Sequence, residues 1–454
     1  MKYASLKGEN KTLLGKFLNQ TRIIVLSFLV VILIGAGLLL LPFSHEGKLS
    51  FVDALFTATS ATCVTGLSSI VISTDLTLFG QIVILLLVQI GGIGFMTLAS
   101  AAFVIVGKKL SMRERLNMRE YLAENDMSEL SRLAVNVIKF TLVIEGVGAV
   151  FLTIGFAFDY SFLRALYYGV FHSVMAFCNA GFDVIPLNES FAVYTYNPYI
   201  LLVLSVLIVL GGLGFIVIGD ILKNRRWKKL RIDSKIVLFM SGILLLLGTI
   251  LFMAFEWNNE STMANMNFGH KLVNSLFTSA SLRTAGFATL AVDSFTPVSR
   301  NIMMVLMFIG ASPGSTGGGI KTTTMFVLMV WIASHLRQKK TVVIGMRKVG
   351  NTVKSRAATI LVLAVSVVTL AITAILAVEG DNFTFEQIMF ETISAYATVG
   401  LTLSVTTKLT AVSKIIIALV MFIGRVGVYT LFLSAIKKSS DSENIRYQEL
   451  NLMM

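Results

Sequence analysis

Four short stretches of this chain repeat one pattern: Ala61 to Ser68 (ATCVTGLS), Ala176 to Asp183 (AFCNAGFD), Ser281 to Ala288 (SLRTAGFA) and Ala395 to Thr402 (AYATVGLT). Aligned on glycine, they place Gly66, Gly181, Gly286 and Gly400 at intervals of 115, 105 and 114 residues, each followed by Leu or Phe. A near-constant period with matching flanks marks repeated structural units. The hydropathy around each glycine repeats as well. A long apolar run comes first (roughly 23–41, 133–157, 235–255 and 358–378), then one of half-helix length (51–61, 163–176, 269–281 and 384–396). The glycine segment follows, and a second apolar run closes each unit (roughly 80–106, 199–221, 300–334 and 412–436).

Composition says what solvent such runs need. Only 14% of the 454 residues are charged and 55% are hydrophobic, with a mean hydropathy of +0.81. Soluble domains carry about 25% charged residues, so a stack of water-soluble domains is excluded and a membrane protein is expected. Five prolines leave no Pro-rich linker. The formal charge is +13, from 38 Lys and Arg against 25 Asp and Glu. Most of the basic residues sit between apolar runs: Lys2, Lys7, Lys11, Lys16 and Arg22, then Lys108 to Arg119, Lys223 to Arg231, Arg337 to Arg356, and Lys437, Lys438 and Arg446. That is the positive-inside pattern of loops facing anionic inner-leaflet lipid, not a nucleic-acid surface. The same loops could dock a cytosolic partner. Two cysteines make neither a disulfide framework nor a zinc site. The first run ends at Pro42 without a small-residue cleavage site and reads as a retained span.

With both spans of every unit starting and finishing on the basic side, the half-helix and glycine segment must dip into the membrane and return. The expected fold is an all-α membrane protein of four tandem outer helix, pore loop and inner helix repeats. It has eight transmembrane helices and four re-entrant loops around one pseudo-fourfold pore, because irregular backbone at membrane depth survives only where it is buried or lines a wet cavity. The expected divisions are a cytoplasmic segment at 1–20, repeats at 21–119, 120–231, 232–356 and 357–438, and a cytoplasmic tail at 439–454. Glycine motifs also recur in the second runs, at Gly91-Gly92-Ile93-Gly94, Gly211-Gly212-Leu213-Gly214 and Gly424-Arg425-Val426-Gly427. They permit close packing or a bend.

A glycine free to take positive φ lets successive carbonyls point to one axis. Four such segments form rings of oxygens that replace a cation's hydration shell, with the negative ends of the half-helices aimed at the ion. The expected filter residues are Cys63, Val64, Thr65 and Gly66; Cys178, Asn179, Ala180 and Gly181; Arg283, Thr284, Ala285 and Gly286; and Ala397, Thr398, Val399 and Gly400. Thr398-Val399-Gly400 is nearest to the Thr-Val-Gly-Tyr-Gly strand of potassium channels; one glycine per segment predicts fewer well-formed sites than in those channels. Any one of these glycines alone reads as helix packing; the fourfold set does not. Arg283 would repel a cation, so its guanidinium is expected to turn behind the filter. Asp183 is expected at the outer mouth, concentrating cations, or as a plain solvated carboxylate. Glu145 inside an outer span suggests a proton path or a polar contact between helices. Cys63 and Cys178 read as small fillers. His45, His172, His270 and His335 form no constellation, so no residues carry an enzyme reading.

The third inner run is broken. Asn301 to Ile309 spans half a bilayer before Gly310 to Gly319 interrupts, and Lys321 to Trp331 resumes. Five glycines and a proline in ten residues end a helix. A phosphate loop is excluded because Ile320 separates Gly319 from Lys321. Arg425, mid-span in the fourth inner run, costs at least a few kcal/mol unless it meets a cavity or carbonyls. The carbonyls of the 310–319 loop are its expected partners, with a structural arginine as the other reading.

These units, the filter glycines and the segment Gly310-Ala311-Ser312-Pro313-Gly314-Ser315-Thr316-Gly317-Gly318-Gly319-Ile320-Lys321-Thr322 resemble the Trk/Ktr/HKT superfamily of potassium transporters over essentially the whole chain. The early start of the first unit is similar to bacterial KtrB-type subunits. The resemblance implies a potassium-uptake subunit of the bacterial plasma membrane with both termini cytoplasmic. It also implies a homodimer with one path per protomer, and a cytosolic KtrA-type RCK ring, binding ATP or ADP, that gates it. Nucleotide then belongs to the partner, potassium is the transported ion, sodium is a candidate activator, and no covalent cofactor is needed. It further implies that Gly310, Gly314, Ser315, Thr316, Gly317, Gly318, Gly319, Lys321 and Arg425 form a gate (loop 310–320) beneath the filter. The competing function is an alternating-access transporter coupling potassium to sodium or protons. Inverted repeats would favour it, whereas all four repeats here run in the same direction.

Overall fold

The computed structural model describes residues 20–94, 130–186, 191–339 and 341–435. The expected basic segments at Lys2 to Lys16 and Lys108 to Arg119, the division at 119/120 and the tail at 439–454 lie outside the described residues. The first elements are a long helix α1 (Gln20–Leu39), a short helix α2 (Phe51–Cys63), a glycine segment and α3 (Leu78–Ile93). The order recurs in α4 (Leu130–Phe156), α5 (Phe162–Cys178) and the pair α6 (Pro198–Leu213) and α7 (Phe215–Asn224). It recurs again in α8 (Ile232–Glu256), α9 (Phe268–Ser281), α10 (Pro297–Phe308) and α11 (Thr322–Leu336). The last set is α12 (Asn351–Glu379), α13 (Phe385–Ala397), α14 (Ala411–Val426) and α15 (Val428–Ala435).

Among the described residues four helices are long and apolar enough to cross a membrane: Arg22–Leu39, Ala134–Phe156, Ile232–Glu256 and Asn351–Asn382. Their outer faces carry exposed Leu29, Leu33, Val143, Val150, Leu246 and Val362. A contiguous apolar surface of that kind needs lipid. The short helices bury many small residues, with Ala54, Ala58, Ser60, Ala61, Ser275, Ala280 and Ser394 all buried beside larger Phe56, Phe277 and Phe390. Small side chains let each short helix pack closely on the inner helix of the preceding unit.

Side-chain oxygens set where the short and inner helices begin. Ser50 accepts from Asp53 N at 3.1 Å, Asn267 from His270 N at 2.8 Å, and Thr384 forms a reciprocal box with Gln387. Thr296 and Thr410 cap α10 and α14, and each is gripped by the last carboxylate of the preceding long helix. Glu256 Oε1 accepts from Thr296 N and Oγ1 at 3.0 and 2.8 Å, and Glu379 Oε1 from Thr410 N and Oγ1 at 2.9 and 2.8 Å. Four residues past each cap a cation reaches the next short helix. Arg300 pairs with Glu386 at 2.9 Å and Lys414 with Asp53 at 2.7 Å, so the last set of elements is tied to the first.

Three sequence expectations need correction. The second apolar runs at 199–221 and 412–436 are not continuous helices, because α6 and α7 meet at 95° and α14 and α15 at 94°. The break is at the last glycine of each motif, Gly214 at φ 93° and Gly427 at φ 90°. Gly94 has the same geometry at φ 87°, where the described part of the first run ends. The division at 356/357 falls inside α12, which begins at Asn351. The fold is not purely α: β1 (Val343–Ile344) and β2 (Arg347–Lys348) form a small antiparallel hairpin with Val343 opposite Lys348.

The inner-helix glycines generate a stability prediction. A Cβ at Gly424 would overlap the Tyr396 carbonyl oxygen, whereas one at Gly219 would meet nothing within 4 Å. Gly424→Ala should cost about 1–3 kcal/mol by overpacking and lower the thermal midpoint of the detergent-extracted protein. Gly219→Ala in α7 should raise it, by roughly 1 kcal/mol of helix propensity.

Candidate functional site

The four glycine segments meet around one centre. A Cβ at Gly66 would overlap the Ala180 carbonyl oxygen, one at Gly181 that of Ala285, one at Gly286 that of Val399, and one at Gly400 that of Thr65. Each glycine therefore lies against the carbonyl just before the next glycine, and the fourth contact returns to the first segment. The glycines hold φ of 94°, 66°, 75° and 96°. Two residues earlier Val64, Asn179, Thr284 and Thr398 also have positive φ, at 56°, 61°, 74° and 53°, while the residue between does not. This alternation turns neighbouring carbonyls to one side, where a regular β-strand would alternate them. Left-handed conformations at β-branched Val64, Thr284 and Thr398 cost about 1–3 kcal/mol each and persist only where the surroundings over-determine them.

The surroundings do so through the amides. Thr65 N donates to Ser60 O at 2.8 Å and Gly66 N to Ser60 Oγ at 3.1 Å. Val399 and Gly400 use Ser394 in the same way, at 2.9 and 3.1 Å. Ala180 N donates to Met175 O, and Ala285 N and Gly286 N to Ser281 O. The donors are consumed by the short helices behind, which leaves the carbonyls to the centre. Cys63, Cys178 and Ala397 are the last helical residues of α2, α5 and α13 rather than parts of the extended segments, and no segment joins a β-ladder. The helices run one or two residues further than the expected ends at 61, 176 and 396.

Arg283 is buried and turned toward α8, where Nη2 donates to Ser241 Oγ at 2.9 Å. Asn179 Nδ2 donates to Arg283 O and to Thr284 Oγ1, both at 3.1 Å, and so ties the second segment to the third. Asp183 is partly buried, with Oδ1 against His172 Nε2 at 2.9 Å and accepting from Ile185 N at 2.8 Å. These two contacts anchor the exit of the second segment, with the carboxylate still 27% exposed. Sequence reading had set His172 aside as isolated. It also passed over Glu391, a buried carboxylate that accepts from Thr402 Oγ1 at 2.7 Å and from Thr406 Oγ1 behind the fourth segment.

The 310–320 loop fits directly against the ring. Ile309 and Ile320 pair in parallel at its base, and Ala311 N donates to Gly318 O at 3.2 Å. A Cβ at Gly310 would overlap the Gly318 carbonyl, and one at Gly319 would stand 3.3 Å from Ala397 O. Gly318 N donates to Thr398 Oγ1 at 3.0 Å and Thr316 Oγ1 to Phe177 O at 3.1 Å. Gly317 is pressed on Thr284 Oγ1, and Gly314 O accepts from Phe215 N at 2.9 Å, beside the Gly214 bend. Inside the loop Ser315 Oγ donates to Ser312 O at 2.6 Å, and Lys321 Nζ to Gly317 O at 2.7 Å. Arg425 spans the whole arrangement: Nη1 donates to Thr316 O, and Nη2 to Gly91 O and, at 3.4 Å, to Gly92 O. A cavity of about 540 Å³ opens beside the loop, lined by Gly314, Gly319, Lys321 and Arg425, with Arg231 and Arg356. Among the described residues no group of three or more His, Cys, Asp or Glu is placed to hold a metal ion.

Comparison with known proteins agrees with this geometry. The family model described as TrkH, cation transport protein, matches residues 9–447. The chain is 37% identical to the potassium/sodium uptake protein NtpJ of Enterococcus hirae over 97% of this chain and 98% of that one. It is 41% identical to the Ktr system potassium uptake protein B of Vibrio alginolyticus, covering 91% of this chain and 90% of that one, and 38% identical to its Bacillus subtilis namesake. The crystal structure of the potassium transporter TrkH from Vibrio parahaemolyticus matches at a TM-score of 0.72 and 18% identity, covering 92% of this chain and 85% of that one. This chain, with its ring of four glycine segments, belongs to the TrkH family of cation transport proteins.

Proposed function

We propose that the chain is a channel-like potassium-uptake subunit of the cell membrane whose selectivity filter is the ring of four glycine segments. The observation that carries this reading is the cyclic closure of the glycine–carbonyl contacts from Gly66 to Ala180, Gly181 to Ala285, Gly286 to Val399 and Gly400 to Thr65. Oxygens fixed around one axis replace a monovalent cation's hydration shell, and the alternation of φ supplies more than one layer of them. The four units then cross the bilayer eight times around a pseudo-fourfold axis, with both termini cytoplasmic. The names of the Ktr and NtpJ relatives support potassium as the ion and keep sodium as a candidate co-ion or activator.

The loop at 310–320 is the gate and Arg425 its latch. A glycine-rich loop has little intrinsic order, and here its closed position rests on Thr398, Phe177, Gly211 and the guanidinium. A cation held below a cation filter also opposes ion passage, so withdrawing Arg425 both frees the loop and lowers the barrier. A cytosolic ring of nucleotide-binding subunits on the basic face, acting on a membrane homodimer, is the regulator that fits a Ktr-type system.

Replacing Gly400 or Gly66 with serine should weaken the preference for potassium over sodium by roughly tenfold or more, measured as uptake affinities for both ions in potassium-transport-deficient cells. Wild-type affinities in all four glycine-to-serine variants would remove the filter assignment. Deleting residues 314–319 or changing Arg425 to Ala should raise maximum potassium flux and weaken dependence on the regulatory ring, with much smaller changes in affinity. A fall in flux at normal membrane abundance would assign the loop to the conduction path instead. Charge reversal across Lys223 to Arg231 should release the ring and leave insertion intact; unchanged pull-down at moderate salt would leave this segment as a topology determinant.

A further inference from the structure

Glu145 is the one buried carboxyl group on α4 that neither filter nor gate uses. It sits near the middle of the helix, 5% exposed, where an unsatisfied carboxyl would be costly. Both oxygens are satisfied. Gln89 Nε2 donates to Oε2 at 2.9 Å, and the Cys178 thiol donates to Oε1 at 3.5 Å. Cys178 Sγ also lies 3.6 Å from Gln89 Oε1, so side chains from α3, α4 and α5 close a triangle. The backbone adds a fourth link, with Ser173 Oγ of α5 donating to Glu145 O at 2.7 Å.

Two corners of the triangle adjoin the ring of glycine segments and the partners of Arg425. Cys178 ends α5 and opens the second ring segment. Gln89 stands two residues before Gly91, whose carbonyl accepts from Arg425. A Cβ at Gly92 would come within 2.8 Å of Cys178 Sγ, so α3 and the second segment touch with no spare room. The third unit uses the same plan with different chemistry: Ser241 of the long helix α8 accepts from Arg283, which occupies the position of Cys178 three residues before the ring glycine. Asn179 joins the two braced positions.

We infer that Glu145 is a positioning residue for cation selection: it seats the foot of the second ring segment and fixes it to the first inner helix at the level of Arg425. This rests on the filter reading above. A slack triangle lets the Ala180 carbonyl drift from its place in the ring and loosens Gly91 at the same time, so selectivity and gating change together.

The test compares potassium and sodium uptake in proteoliposomes containing wild type, Glu145→Leu, Glu145→Gln and Gln89→Leu at matched protein amounts. Glutamine can accept one bond and donate the other, so Glu145→Gln should keep the potassium KM within about twofold, and Glu145→Leu should raise it by roughly fivefold or more and erode the preference over sodium. Unchanged affinities in Glu145→Leu, with flux falling only in proportion to protein recovered, would reduce the residue to a folding role and overturn the inference. If Glu145→Leu does not insert, Gln89→Leu decides: it cuts only the link to α3, and wild-type affinities there also overturn it. Gly400→Ser in parallel separates the two readings. A shift in Gly400→Ser without one in Glu145→Leu overturns this inference alone, whereas no potassium selectivity in wild type overturns the filter reading beneath it.

Discussion

The structure depends on four contacts in which a glycine Cα rests against a neighbouring segment's carbonyl oxygen. No side chain fits there. The same glycines hold positive φ, and the residues two before them hold it too, although three of those are β-branched. A backbone so disfavoured exists only because its amides are tied to Ser60, Met175, Ser281 and Ser394 and because the short helices are locked to their neighbours. The rest of the architecture can be read as support for that ring: capped helix starts, the Arg300–Glu386 and Lys414–Asp53 pairs, and inner-helix glycines that let α3, α6 and α14 press on the carbonyls of Thr62, Phe177 and Tyr396.

The third unit departs from this scheme where regulation is possible. Its inner helix yields to a loop, and besides Thr284 of its own unit that loop meets every other unit: Gly212 and Phe177 of the second, Thr398 and Arg425 of the fourth, and through Arg425 the carbonyl of Gly91 in the first. A segment held by so many separate groups has a well-defined position. Arg425 is a charged member among these cross-unit partners, and Lys321 adds a second charge through its bond to Gly317 O, so charge-assisted bonds hold the loop in a low-dielectric site.

Much of this was legible in the chain itself, for definable reasons. The ring glycines repeat at a near-constant period, and the 310–320 break contains five glycines that no helix tolerates. Arg425 lies in an apolar run where an unpaired cation is untenable. What escaped notice is what depends on pairing between distant elements. His172 lay isolated in sequence but meets Asp183 eleven residues later, across the turn of the second segment. Glu391 serves the fourth segment through Thr402 and Thr406. Ser60 and Ser394 both stand six residues before their ring glycines, so a finer alignment of the repeats contained that signal. The right-angle bends at Gly214 and Gly427 did not follow from hydropathy, because an apolar run reads the same whether straight or folded.

The most direct test of the central claim is to locate the ion. Anomalous scattering from crystals of the purified protein in rubidium, a close potassium analogue, reports position without reference to rate or affinity. A carbonyl filter formed by these four segments predicts rubidium on the axis enclosed by Thr65, Ala180, Ala285 and Val399, weakened when sodium replaces it. Rubidium bound elsewhere in transport-competent protein, with that axis empty, would contradict it.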